Sequence, residues 1–587
     1  MHTSRTYTQL PLAAFCALGA WLAAAAVPLS GREPGVPVSE HLAEPIRPLL
    51  DRLDAGGSTA PPGRSAAVRE ALERFYRAGG YRPSWLDDFG RPTGRAGELI
   101  ASLEAAERDG LHPGDYQPDF LAAELRRLST STDPEARHRA DLLLSRAFAL
   151  LVHDLTAGRA EPEELGAQWL VWSKRPDLAQ ALHEAAHGSA GVEATLAALR
   201  PAHPGYRRLG RALERYREIA REGGWPAVPD GPVLEPGKRA EPSRLEALGA
   251  RLAAEDGLPD RLPSPRPSPA TTPLRDAVPS EGRGRPATGP RPAADEAPAV
   301  YDEPLVGSVR RFQERMGLEV DGIVGPETLA ALNVPAEERL RQLEVNLERW
   351  RRMPEELPER RVEVDLPGFR LRMVEDGRPV SEMRIVVGKP RTRTPVFRDL
   401  LTHVVLNPDW NVPPNIAARE LRPKGSAWLS ARGYETLPNG GLRQRPGAGN
   451  SLGRVKFVLD GQRYIYLHDT PEKHLFGRAR RAFSHGCIRL ERPVELAEWL
   501  LRGDPEVSAD WTPERIGAAI ARGRTAWIRL SEEVPVFVLY FTAWAGDGGE
   551  VHFRDDLYGF DQRLAQALEQ QPPEAQEALL AAFRSTE

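Results

Sequence analysis

The hydrophobic period changes once along this chain, near Arg361, and that change limits the fold more than any other feature. Before it, from about residue 34 to 226, apolar residues recur at three and four positions through Ala-, Leu- and Arg-rich segments such as Arg69–Tyr76, Glu98–Asp109 and Asp141–Leu155. That is the spacing of amphipathic helices. After it, Val362–Leu366, Phe369–Val374, Arg384–Val387, His403–Leu406, Val455–Leu459, Tyr464–His468 and Val536–Phe541 alternate or run apolar between Gly and Pro turns, the pattern of strands. With 587 residues, the expected fold is α+β and multidomain, a helical bundle followed by a β-rich domain. Phe75, Tyr76, Tyr81, Trp85 and Tyr116 sit near predicted turns, where they most simply plug helix ends into a core; a carbohydrate platform is the alternative.

Charge and cysteine content remove several function classes. The formal charge of −5 is too close to balance on this length for a nucleic-acid groove or a polybasic membrane patch. Two cysteines, Cys16 and Cys487, cannot build a disulfide framework or a four-cysteine zinc site. Leu10–Val27 is an apolar run preceded by Arg5 and followed by Ala24–Ala26, an export signal pattern with a retained inner-membrane anchor as the competing reading. Residues 1–30 are therefore expected to be a signal peptide or anchor, and the protein periplasmic. Removal of the signal would leave Cys487 as a solitary thiol in an oxidising compartment. Packing alone does not justify that, since a thiol there can mispair or oxidise.

Residues 259–299 hold eleven prolines and no aromatic residue, and such a segment cannot bury enough surface to fold. It reads as a spacer interrupting a module, because the helical pattern of Ser243–Ala253 before it matches the short helices after it. Those carry Val309, Phe312 and Met316 on one face, Gly317 as a stop, Asp321-Gly322 as a turn, and Gly325-Pro326 opening a helix with Leu329 and Leu332. The run from Val309 to Leu329 resembles the small three-helix peptidoglycan-binding module, and the ligand class follows from that resemblance alone.

The chemistry concentrates between Tyr464 and Arg489. Period two puts Tyr464, Tyr466 and His468 on one strand face, a loop of fifteen residues follows, and the chain then reads Ser484-His485-Gly486-Cys487-Ile488-Arg489. Glycine permits close backbone approach and a helix is expected from Pro493. A thiol attacks acyl groups as thiolate, so it needs a base and oxyanion donors. His468 can be the base, the Gly486 and Cys487 amides the donors, and Arg489 with Arg478, Arg480 and Arg481 a positive field, or else the last three form a solvated loop. His468, His474, His485 and Cys487 lack zinc-ligand spacing, so no metal and no cofactor is expected.

His468-Asp469-Thr470-Pro471 and Ser484–Arg489 resemble the signature of the L,D-transpeptidase (YkuD-type) family. Phe75-Tyr76 with Gly80–Trp85, Asn346–Trp350 and Asn407–Pro414 resemble its large scaffold-bearing periplasmic subgroup. The resemblance implies that Cys487 is the nucleophile and His468 its base, that His485 shapes the site and that Ser484 orders the loop. Many members carry asparagine where Arg489 stands, whereas that subgroup commonly has arginine. Tyr466, Trp410 and Asn411 are assigned to substrate binding. The expected domains are a helical scaffold over 34–230, a binding module over 234–335 interrupted at 259–299, a catalytic domain over 345–545 with a capping insert at about 408–453, and a tail over 546–587. The insert reads as a mobile lid or as a rigid decorative loop. The implied activity is cysteine acyl transfer: attack on the third stem-peptide residue, release of terminal D-alanine, and cross-linking to the diamino acid of a second stem. The family also implies acylation by carbapenems. An L,D-carboxypeptidase or cross-link hydrolase using the same residues, and a non-catalytic wall anchor, are the alternatives. Protein partners are not legible.

Overall fold

The computed structural model describes residues 46–55, 62–128, 133–160, 176–256, 299–461, 465–507 and 510–569. The N-terminal apolar run and nearly all of the proline-rich spacer lie outside the described residues. Among the described residues, no helix is long and apolar enough to cross a membrane.

The helical region forms one core. Its central helix, Pro134–Ala157, starts where Asp133 accepts hydrogen bonds from the Glu135 and Ala136 amides and Pro134 supplies a helical φ. Leu142, Leu144, Phe148 and Val152 from it pack with Leu72, Tyr76, Trp85, Leu99, Leu103 and Leu182. The aromatic residues do plug helix ends: Tyr76, Trp85 and Tyr116 are buried. Asp141 accepts from the Tyr76 hydroxyl at 2.7 Å and from the Ser84 and Trp85 amides at 2.9 and 2.7 Å, while Trp85 Nε1 donates to Ser145 at 2.8 Å. The Phe75–Trp85 motif is thus held by one buried carboxylate.

The second core joins helix Pro204–Arg221 to the binding module, whose helices are Pro242–Asp256, Glu303–Met316 and Pro326–Leu332. Gly317, at φ +69°, ends the second of these, a left-handed position that glycine takes without steric cost. The module is tied across the spacer by a two-residue ribbon, β1 (Arg239–Ala240) against β2 (Ala299–Val300). The sequence reading leaves 546–587 as a tail. Instead β15 (Ala543–Ala545) and β16 (Val551–Phe553) form a hairpin whose Ala543, Ala545, Val551 and Phe553 complete this module core. The following helix, Phe560–Glu569, buries Phe560 and Leu564 in the sheet domain.

The third core belongs to the sheet. Its strands are β3 (Arg361–Asp365), β4 (Arg370–Glu375), β5 (Arg378–Gly388), β6 (Phe397–Leu406), β10 (Val455–Leu459), β11 (Leu467–His468), β12 (Ala482–Ser484), β13 (Ile488–Leu490) and β14 (Ala526–Leu539), in the order β12-β5-β13-β11-β10-β6-β14-β3-β4. A further pairing of β4 with β5 closes the sheet on itself, which removes the exposed edges an open sheet would have. Alternation sends Val404, Leu406, Val455, Phe457, Leu467 and Ile488 inward. Between β6 and β10 the chain leaves the sheet as a cap with its own small sheet, β7 (Trp410–Val412), β9 (Leu442–Gln444) and β8 (Tyr434–Thr436) in that order, and its own apolar cluster.

Helix Ala336–Arg351 binds the cores together, giving Leu343 and Leu347 to the module core and Val345 to the sheet core. Asn346, fully buried, donates to Thr542 Oγ1 at 2.8 Å and accepts from the Thr542 amide at 2.9 Å. Arg349 donates to Asp561 at 2.6 Å, and Glu348 accepts from the Ala160 amide and from Arg351. The Asn346–Trp350 motif is therefore a structural junction between the helical region and the sheet domain.

Candidate functional site

The register of three strands assembles the site. Lys456 on β10 lies opposite His468 on β11, and His468 lies opposite Arg489 on β13. Directly paired residues point to the same face, so the imidazole stands between two cations on the outward side. Cys487 immediately precedes β13, two residues before Arg489. The Ile488 amide donates to the Tyr466 carbonyl at 2.9 Å, stitching the cysteine turn to the histidine strand. The described strand is only Leu467–His468; Tyr464 lies outside the described residues, and the supposed fifteen-residue loop contains a 3₁₀ turn, Lys473–Gly477, and β12.

His468 is 4 % exposed, and its Nδ1 lies 2.5 Å from the Asp469 carbonyl oxygen. A carbonyl only accepts, so Nδ1 carries the proton and Nε2 the lone pair. Burial, then Arg489, and more weakly Lys456 push its pKa down to about 3, against the raising effect of Asp469. The ring is neutral at physiological pH. Burial pushes the Cys487 thiol up, opposed by a main-chain hydrogen bond from Tyr466 and by the charges of Lys456 and Arg489. The resting pair is thus thiol and neutral imidazole, not a preformed thiolate–imidazolium pair.

The cysteine turn is clamped from inside. The Ser484 hydroxyl donates to the Cys487 carbonyl at 2.6 Å and accepts from the Gly486 amide at 3.1 Å. The Gly486 amide is thereby spent within the turn, a departure from the expectation that it serves as an oxyanion donor. Gly486 itself is at φ +117°, where a side chain would strain the backbone. The 388–394 loop holds the turn from behind: Thr394 Oγ1 donates to the Gly486 carbonyl at 2.9 Å, Thr392 Oγ1 donates to the Ser484 carbonyl at 3.0 Å, and Tyr558 donates to the Gly388 carbonyl at 2.8 Å. Sequence reasoning missed Thr392, Thr394 and Tyr558, which come from far along the chain.

The remaining expected residues divide. Tyr466 touches the site through its main chain, and Lys456 Nζ sits 3.6 Å from its ring centroid. Lys456, also missed, carries one local signal, a charged residue at an outward position of the alternating Val455–Leu459 run. Arg489 pairs with Glu472. His485 reaches the cap, its Nε2 lying 2.7 Å from Glu420 Oε1. Trp410 packs in the cap's own cluster with Tyr434, and Asn411 is exposed on the cap's edge strand β7. Arg481 donates to the Phe369, Ile385, Arg478 and Ala479 carbonyls, tying down its loop. Among the described residues, no group of three or more His, Cys, Asp or Glu could hold a metal ion.

Comparison with known proteins matches these regions to three families. Residues 70–213 match the scaffold domain, residues 290–332 the "Putative peptidoglycan binding domain", and residues 359–507 the L,D-transpeptidase catalytic domain, YkuD. A curated relative from Haemophilus influenzae, named "Putative L,D-transpeptidase", is 35% identical over 223 residues. The match covers 34% of this chain and 44% of that relative, so this chain spans less than half of its length. Among solved structures, the catalytic domain of the E. faecium L,D-transpeptidase acylated by ertapenem is 17% identical, with 31% of this chain and 99% of that one covered at a TM-score of 0.17. The L,D-transpeptidase from Xylanimonas cellulosilytica is 18% identical, covering 41% and 82% at a TM-score of 0.17. The chain thus carries a scaffold domain, a peptidoglycan-binding domain and an L,D-transpeptidase catalytic domain, and Cys487 and His468 lie within the last.

Proposed function

We propose that this protein is an L,D-transpeptidase that cross-links peptidoglycan between third stem-peptide residues through a Cys487 acyl-enzyme, acting in the periplasm. The observation that carries the proposal is the placement of Cys487 immediately before β13, the strand that pairs in parallel with β11, where the tautomer of His468 leaves Nε2 basic. The thiol sulfur attacks the carbonyl of the third residue as Nε2 takes its proton. The tetrahedral intermediate collapses, the terminal D-alanine leaves as its nitrogen takes that proton, and a thioester remains. The side-chain amine of another stem's diamino acid then attacks, His468 accepts its proton, and the sulfur is released as thiol once reprotonated. Lys456 and Arg489 stabilise the negative charge that develops on sulfur and oxygen. A carboxylate of the acidic stem lodging beside these two cations would oppose the charges that depress His468, so the base strengthens when substrate arrives.

Mass spectrometry of products from the protein and disaccharide-tetrapeptide tests this, with Cys487→Ala as the comparison. Dimers joined between third residues, abolished by the substitution, are the expected result. Free tripeptide alone would assign hydrolysis, and no change of the substrate with either protein would leave only wall anchoring.

A further inference from the structure

Trp527, 60 % exposed, is the one tryptophan among the described residues that faces solvent in this way. It pairs across the sheet with Val405, which pairs with Lys456, which pairs with His468. Direct pairing keeps all four on the outward face, so the indole lies on the same transverse row as the proposed base, three strand spacings away, roughly 14 Å at about 4.8 Å per strand. His403, the next outward residue of β6, stands edge-on to the indole with ring centroids 6.0 Å apart and is itself held by Thr402 at 2.9 Å. Opposite His403 on β14 is the exposed Arg529. The result is an indole braced at one edge by His403, with Arg529 exposed opposite that histidine.

We infer that Trp527 and His403 form a platform for the sugar of the donor strand, stacking the apolar face of a pyranose ring while its stem peptide runs along the row to Cys487. This rests on the proposed function. Three stem residues between the sugar and the attacked carbonyl span roughly 10–11 Å when extended. That reach, with the few ångströms of the indole itself, matches the distance along the row. Arg529 and Lys456 complement the free carboxylates of an acidic stem, which is the occupant that charge favours over a neutral apolar partner. A broad exposed aromatic face is what a sugar ring with one apolar side requires.

Calorimetry on the full chain carrying Cys487→Ala, so that the donor is not consumed, provides the test. Adding Trp527→Ala should weaken binding of disaccharide-tetrapeptide about tenfold, with Trp527→Phe intermediate, and should change binding of the sugar-free tetrapeptide by less than about twofold. Val380→Ala, an exposed apolar change elsewhere on the sheet domain, should move neither. Equal weakening of both ligands, no weakening of either, or no binding of the disaccharide-tetrapeptide by the parent would overturn the platform. The two failures separate: sugar-dependent binding through Trp527 with no transfer by the unsubstituted protein refutes the reaction, whereas transfer that ignores the sugar refutes the platform.

Discussion

Asp141 in the helical region and His468 in the sheet domain are both buried titratable groups at the heart of a short sequence signature, yet they are used in opposite ways. Burial raises the Asp141 carboxyl to about 6, and hydrogen bonds from Tyr76, Trp85 and Ser84 partly offset the rise. Its oxygens are saturated by donors from the segment it organises. His468 is tied at one nitrogen only, and the other keeps its lone pair among two cations. A saturated buried group fixes a shape, and a half-tied one keeps capacity for chemistry. The same contrast separates Asn346, whose amide is spent on Thr542 and Gln342, from Cys487.

Exchanging the two fates gives the largest effect. His468→Ala should lower turnover by about 10²–10⁴-fold while the thermal melt is kept, and Asp141→Ala should do the reverse. It strands the Ser84 and Trp85 amides and leaves the Tyr76 hydroxyl with Ser145 alone, costing about 3–5 kcal/mol by denaturant titration, with turnover per folded molecule unchanged. Parallel losses of stability and turnover in both variants would erase the distinction.

Acid provides the next test. His468 at about 3, with His203 and His552 each near 4, are depressed below the ordinary histidine value, mainly by burial. The unfolded chain takes up those protons first as pH falls. The stability these groups contribute is therefore full above about pH 6.5 and lost as pH drops toward 4 and then 3. Melting temperature between pH 7 and 4 should fall steeply, and His468→Gln should flatten part of that slope. An equal slope in both proteins would mean that the imidazole is not buried neutral.

A smaller effect is expected at Lys456. The Cys487 thiol ionises above its ordinary value, and Lys456 opposes that rise. Alkylation by iodoacetamide should be slow at pH 7 and increase into alkaline pH. Lys456→Gln should slow it about threefold at pH 8, and an unchanged rate would remove the lysine from the electrostatics of the site.

What could be read in the sequence follows the reach of each interaction. Period and turn chemistry are local, so the change from helices to strands near Arg361 and the Gly317 stop were legible. Cys487 and His468 stood out as candidates because the turn before β13 and the strand β11 lie close in sequence. Glu420 meets His485 from 65 residues away and Thr394 meets Gly486 from 92, and no local pattern encodes such pairings. The C-terminal hairpin escaped for a similar reason. Its apolar residues Ala543, Ala545, Val551 and Phe553 alternate as an ordinary short ribbon would, and the partner that makes them core, helix Pro204–Arg221, lies more than three hundred residues earlier.

The two-residue ribbon of β1 and β2 has an evolutionary consequence. Arg239 and Ala240 face Val300 and Ala299, so the segments before and after the spacer are fastened to each other, with Leu248 and Leu252 on one flank and Tyr301 and Val306 on the other sharing a single interior. Sequence inserted between segments fastened in this way need not hold them together, and each doubling of its length costs only about 0.6 kcal/mol of closure entropy. Length and composition there are free to drift, and a protease nick at that position would leave both halves clasped as one particle.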